Sequence, residues 1–255
     1  MKDDEDKILK ADRFVSHPGD AANANLRKRF YESATSRAAE NGFVIELDGR
    51  SIKTPARAIL KVPTAGLGEA IAEEWNAQEK HIVPETMLVT KLANTALDRV
   101  GPRKDEVVDE IAAFGGSDLL CYRADDPESL VTRQAEQWDP LLDWLDGRYG
   151  ARLELASGVI FKDQSPEVLG RLHNVVACRS EFELAGLHQA VSLCGSLVLG
   201  LALLESHITP DQAHDLAHLD EAWQAERWGW DEEAQVRLEG RREMLNATAK
   251  YLELL

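Results

Sequence analysis

His214 and His218 stand four residues apart in the string His-Asp-Leu-Ala-His, a spacing that sets two imidazoles on one helix face where they can share a cation. A zinc site needs a third protein ligand, and none is local. The general-base Glu of a zinc protease is also missing, because Asp215 follows His214 directly and no Glu lies between the histidines. The pair therefore reads as surface or helix-end histidines, and a metal-dependent hydrolase centred on His214 and His218 is the enzymatic alternative. Cys121 precedes Tyr122 and Arg123, and a neighbouring guanidinium can lower a thiol pKa, but Leu119 and Leu120 argue for burial. Ser196 follows Gly195 inside an apolar run without the strand-turn-helix setting of a nucleophile elbow. Cys194 and His188, six apart on one helix, point in different directions. Asp220 with Glu226, and Glu232 with Glu233, form carboxylate pairs of a kind that arise by chance in an acidic chain. Gly115-Gly116 lacks the Gly-Lys-Ser/Thr of a phosphate-binding loop. Neither a catalytic residue nor a cofactor is expected.

The stretch Leu219 to Ala234, LDEAWQAERWGWDEEA, packs three tryptophans among six acids. At ~100° per residue Leu216, Leu219 and Trp223 fall within about a sixth of a turn of one another. Asp220 and Arg227 border that stripe on one side, Glu226 on the other. Carboxylates beside an apolar stripe cost desolvation unless they are paired, so they have internal partners or await an external one. Under the structural reading Trp223 and Trp228 are core anchors and the acids a solvated rim; under the functional reading the segment is a contact surface. Gly229 suits a helix C′ position, and Asp231 with Glu232 and Glu233 suits a capped, dipole-matched helix start. The stretch is a helix-turn-helix corner.

A formal net charge of −16 over 255 residues argues against a nucleic-acid backbone or an anionic membrane as the main partner, since both repel it at long range. A neutral or basic protein is the easier partner. Three cysteines, Cys121, Cys178 and Cys194, lack metal-type spacing and leave one unpaired in any disulfide scheme, so three buried thiols in a reducing compartment are expected. Met1 to Lys10 is too charged for a secretory signal and too acidic for a transit peptide. The most apolar run, Leu193 to Leu204, falls short of the ~20 residues that span a bilayer, so no membrane insertion is expected. The charge, together with the absence of a long heptad array, favours a monomer.

Residues 1–28 read as a polar arm. Phe43 to Leu47 is β-prone and meets Asp48-Gly49, a hairpin signal, with a return strand at Arg50 to Thr54 and a further short strand at Ala58 to Val62. Thr64 is an N-cap for a helix through Leu67, Ala70, Ile71 and Trp75. Helices follow at Leu88 to Val100, Lys104 to Phe114 and from Pro127 through Leu145. A strand pair at Arg152 to Leu155 and Val159 to Phe161 is positioned to extend the first sheet. From Pro166 the chain reads as helix: Pro166 to Cys178, Glu181 to Ser206, Pro210 to Trp228 and Asp231 to Leu254. Gly195 and Gly200 are expected to allow close helix approach, and Trp75, Trp138 and Trp144 to hold the fold. The fold class is α+β: a small N-terminal α/β domain with antiparallel strands (29–92) joined to a larger, mainly helical C-terminal domain (93–255).

Seven collinear strings carry a resemblance: LDGRSIKTP (Leu47 to Pro55), EEWNAQ (Glu73 to Gln78), KLANTALDRV (Lys91 to Val100), DLLCYR (Asp118 to Arg123), QWDPLLDW (Gln137 to Trp144), GSLVLGLA (Gly195 to Ala202) and DEAWQAERWG (Asp220 to Gly229). Together they resemble the ATP synthase assembly chaperone family often called ATP-twelve, found in mitochondria and alpha-proteobacteria. The resemblance runs from about Arg29 to Leu254. Where family members often have Met-Pro-Leu-Thr, this chain has Met87-Leu88-Val89-Thr90. The resemblance implies an α/β part followed by a helical part, no enzymatic activity, and a role in holding the unassembled alpha subunit of the catalytic sector until beta displaces it without nucleotide hydrolysis. It implies a cytoplasmic protein in bacteria, or a mitochondrial matrix protein in a processed eukaryotic form. On that reading Asp220, Glu221, Trp223, Glu226 and Arg227 are the client-binding residues, with Trp223 as apolar anchor. A general holdase for many clients is the remaining alternative.

Overall fold

The structure is a computed structural model that describes residues 26–158 and 162–255. Most of the expected N-terminal arm, and the expected strand at Val159 to Phe161, lie outside the described residues. The first sheet grows from the Phe43–Leu47 hairpin signal. Strand β2 (Gly42–Leu47) pairs antiparallel with β1 (Ala34–Ala39), with β3 (Arg50–Ser51) and with β4 (Lys61–Val62). Strand β1 has the composition ATSRAA and no β-preference of its own. It pairs residue for residue with β2, from Ala34 opposite Leu47 to Ala39 opposite Gly42, and the Asn76 side chain clips its start by exchanging 2.8 Å hydrogen bonds with Ala34 N–H and C=O. The return strand stops at Ser51 apart from a bridge between Lys53 and Ile59.

Helix α1 (Ala65–Asn76) starts where Thr64 Oγ1 accepts from Leu67 N–H, as its N-cap position requires. Helix α2 (Leu88–Thr95) is started from outside: Glu74 on α1 accepts from Val89 N–H, Thr90 N–H and Thr90 Oγ1 at 2.8, 2.8 and 2.6 Å. That cap holds the helix start at Leu88, the N1 position where a proline would also fit. A π-helical turn at 96–100 and a 3-10 turn at 101–103 lead into α3 (Lys104–Ala113), so Gly101-Pro102 bends the path without opening a loop. The long α4 (Glu128–Tyr149) follows. The expected boundary between residues 92 and 93 falls inside α2, which packs against both α1 and the C-terminal helices.

The expected strand at Arg152 to Leu155 is absent. The two residues after it pair instead: β6 (Ala156–Ser157) runs parallel to β5 (Tyr122–Arg123) in a separate two-stranded sheet, away from the first. Two expected single helices are each broken. Gly195, at φ +65°, ends α6 (Glu181–Cys194), and Ser196 accepts from Leu199 N–H to cap α7 (Leu197–Leu204). Gly195 thus supplies a left-handed turn and no close approach, whereas a Cβ on Gly200 would collide with Val191. His218 separates α8 (Pro210–Ala217) from α9 (Leu219–Trp228). Helix α10 (Glu232–Glu253), capped by Asp231, closes the fold. The main hydrophobic core runs from Ile45 on β2 to Leu252 on α10, and a smaller cluster joins Tyr31, Ala34, Leu47 and Ala72. Among the described residues no helix is long and apolar enough to cross a membrane.

Candidate functional site

The corner made by α9 and the start of α10 is held from beneath by α4. Glu226 receives both guanidinium nitrogens of Arg133, at 2.9 and 3.0 Å. Gln134 Nε2 donates to Asp220 at 2.8 Å, and Arg227 donates to Ser129 Oγ at 3.1 Å. The acids flanking the apolar stripe therefore have internal partners. The hydrogen bond from Arg133 lowers the Glu226 carboxyl below its ordinary value, while burial raises that of Asp220 against the Gln134 bond. Glu221 is exposed.

Trp223 is only 5% exposed and joins the main core beside Leu219. The Arg227 guanidinium lies 3.6 Å over its ring, and Trp228 meets it edge-on at 6.0 Å. Its indole is covered. The accessible apolar groups are Trp228 at 74%, Trp230 at 47% and Val236 at 71% exposure. The expectation that Trp228 is a core anchor therefore fails. Five residues beyond Trp223, it sits ~140° around the helix from the buried stripe, a signal present in the sequence.

The other chemical candidates resolve into structure. Asp118, fully buried, accepts from Leu120 N–H (3.0 Å), Ser196 Oγ (2.7 Å) and Val198 N–H (3.0 Å), joining the DLLCYR string to the start of α7. Burial pushes its carboxyl up to about 6, against those hydrogen bonds. Ser196 is thus a helix cap. Burial pushes the Cys121 and Cys194 thiols up to about 12, far from a reactive thiolate. Cys178 is exposed, correcting the expectation of three buried thiols: it follows the last residue of α5 (Pro166–Ala177), at the helix's solvent end. His214 and His218 are both buried, with ring centroids 4.6 Å apart. His218 Nδ1 meets the His214 carbonyl at 2.8 Å, His214 Nε2 meets the Leu238 carbonyl at 3.2 Å, and the other two ring nitrogens face Arg241 and Arg242. Guanidinium groups stand where a cation would have to sit. Among the described residues no third His, Cys, Asp or Glu completes a metal-binding group with them. The metal-hydrolase alternative finds no support in this geometry.

Tryptophans outside the corner brace the fold. Trp138 is buried and donates from Nε1 to the Leu216 carbonyl at 3.0 Å, and Trp144 stacks on His207 at 4.7 Å. Trp75 is half-buried, its carbonyl accepting from Tyr31 Oη at 2.6 Å.

Comparison with known proteins places this architecture. A family model described as ATP12 chaperone protein matches residues 28–146. The chain is similar to the mitochondrial protein atp12 of Schizosaccharomyces pombe, 27% identical over 219 residues that cover 81% of this chain and 75% of that protein. The crystal structure of Atp12 from Paracoccus denitrificans is 42% identical with a TM-score of 0.87, covering 89% of this chain and 98% of that one. A structure of an Agrobacterium tumefaciens protein described as a candidate chaperone is 39% identical, also with a TM-score of 0.87, over 99% of this chain and 97% of that one. With the fold shared along almost the whole length at such identity, the chain belongs to the ATP12 chaperone family.

Proposed function

We propose that this chain, a chaperone of ATP synthase assembly, binds the unassembled alpha subunit and covers the face that alpha later presents to beta. An unpartnered subunit exposes an apolar surface that would otherwise aggregate. The observation that carries the reading is the α9–α10 corner, where Trp228, Trp230 and Val236 are exposed among Glu221, Glu226, Arg227, Glu232 and Glu233. Aromatic anchors supply interface energy, and the surrounding charges set orientation and on-rate. Asp220 and Trp223 act from below by fixing α9 to α4 and to the core. Release needs only that beta compete better for the same face, without nucleotide hydrolysis.

The test uses purified alpha subunit and full-length chaperone. Glu226→Lys, and Trp228→Ala combined with Trp230→Ala, lose alpha binding while circular dichroism stays native. Normal binding by both variants would place the client elsewhere. Excess unrelated denatured protein leaves alpha bound; effective competition would support a general holdase instead.

A further inference from the structure

Beneath the client corner, hydrogen bonding assigns a tautomer to each buried imidazole. His218 Nδ1 donates to the His214 carbonyl, so Nε2 is the acceptor and faces Arg241 Nη1 at 3.4 Å. His214 Nε2 donates to the Leu238 carbonyl, so Nδ1 accepts from Arg242 Nη2 at 3.3 Å, with the Asp215 carboxylate 3.2 Å away. With both rings neutral, the contacts to the two carbonyls and the two guanidinium groups each join a donor to an acceptor, and only Asp215 meets an acceptor, His214 Nδ1, with another.

A second proton affects the two rings differently. On His214 it meets Asp215. On His218 it sets N–H against the Arg241 guanidinium, charge against charge, in a pocket where His218 is 6% exposed. The groups acting on His218 are few: His214 on α8, whose neighbour Asp215 binds Arg242 together with Asp211, Glu221 on α9 and Arg241 on α10. We propose that His218 is a pH sensor for the client corner: its protonation expels Arg241, frees the first half of α10 from α8, and thereby lowers affinity for the client. The coupling to the client rests on the site reading above.

Burial holds the His218 pKa below the usual imidazole value; the hydrogen bond to the His214 carbonyl and the Glu221 carboxylate oppose this, while the His214 ring and Arg241 add to it. A depressed folded-state pKa means that the closed arrangement is fully stable above about pH 6.5 and loses stability as pH falls towards the folded value.

The experiment measures amide hydrogen exchange of residues 232–243 in the full chain at about pH 7.5 and about pH 5.5, corrected for intrinsic rates, alongside alpha-subunit affinity at the same two values. The expected result is several-fold faster corrected exchange at the lower pH with a parallel loss of affinity, both absent in His218→Gln, whose carbonyl still accepts from Arg241. Arg241→Gln provides a second check: the His218 imidazole titration, followed by NMR, moves upward. Unchanged exchange in the wild type, or equal acceleration in His218→Gln, overturns the switch and leaves the client site standing. Opening without loss of affinity overturns the coupling and moves the client site away from this corner.

Discussion

Replacing Trp223 and Trp228 one at a time by Ala separates the indole that holds the corner from the indole that the corner offers. Trp223 is 5% exposed, so its loss leaves a cavity and costs about 3–5 kcal/mol. The guanidinium of Arg227 over its ring adds about 0.5–1 kcal/mol. Trp228 is 74% exposed, and its main intramolecular contact is the edge-on ring pair, about 0.5–1.5 kcal/mol. For a chain of this size roughly 2–4 °C of Tm accompanies each kcal/mol, so Trp223→Ala lowers Tm by roughly 7–24 °C and Trp228→Ala by roughly 1–6 °C. Calorimetry on the two variants reads this directly. Client affinity should run the other way, with Trp228→Ala losing binding at temperatures where both variants are folded. Equal losses of Tm, or a Trp228 variant that binds alpha as well as wild type does, would refute the division of labour between the two indoles.

Three further outcomes follow from the framework. Asp118→Ala strands three buried donors, Leu120 N–H on its own turn and Ser196 Oγ and Val198 N–H at the start of α7, and should cost about 3–5 kcal/mol in urea unfolding, whereas a cost under about 1 kcal/mol would deny it the role of hub. Burial alone would raise the Glu205 carboxyl, but hydrogen bonds from Arg148, Tyr149 and Arg179 outweigh it and leave the pKa at about 2. With the folded value below the unfolded one, Glu205 adds about 2–3 kcal/mol above about pH 4.5 that is lost as pH falls towards 2, so wild type and Glu205→Gln should converge in stability in acid. Glu74→Ala uncaps α2 and should speed amide exchange at Val89 and Thr90; unchanged protection there would show that the helix starts without it.

How much of this was legible in the sequence depends on the range over which each signal acts. Thr64, Asp231 and the Asp48-Gly49 turn act over a few residues, and each behaves as its local chemistry dictates. Strand β1 carries no local signal, because its conformation comes from pairing with β2 and from an Asn76 clip supplied 42 residues away. The apolar period runs through Gly195 and His218 without a fault, so each break was hidden inside an uninterrupted hydrophobic pattern. Most of the family-like strings turn out to do connecting work: Asp48 holds Glu32 and Ser33 N–H, Glu74 starts α2, Asp98 ties Thr54 and Ala56, and Asp118 starts α7. At the corner the residue types mark the stretch proposed as the client surface, but they do not say which of its indoles is exposed. Trp223 falls on the buried stripe, and only the angular position of Trp228 marks it as accessible.

The central claim is that the exposed α9–α10 corner holds the alpha subunit on the face destined for beta. A photo-reactive residue placed at Val236 in the full chain, illuminated in complex with alpha and mapped by mass spectrometry, tests it most directly. The account predicts adducts on the beta-facing surface of alpha that disappear when beta is added. Adducts confined to other surfaces of alpha, or adducts that persist at full yield with beta present, would contradict it.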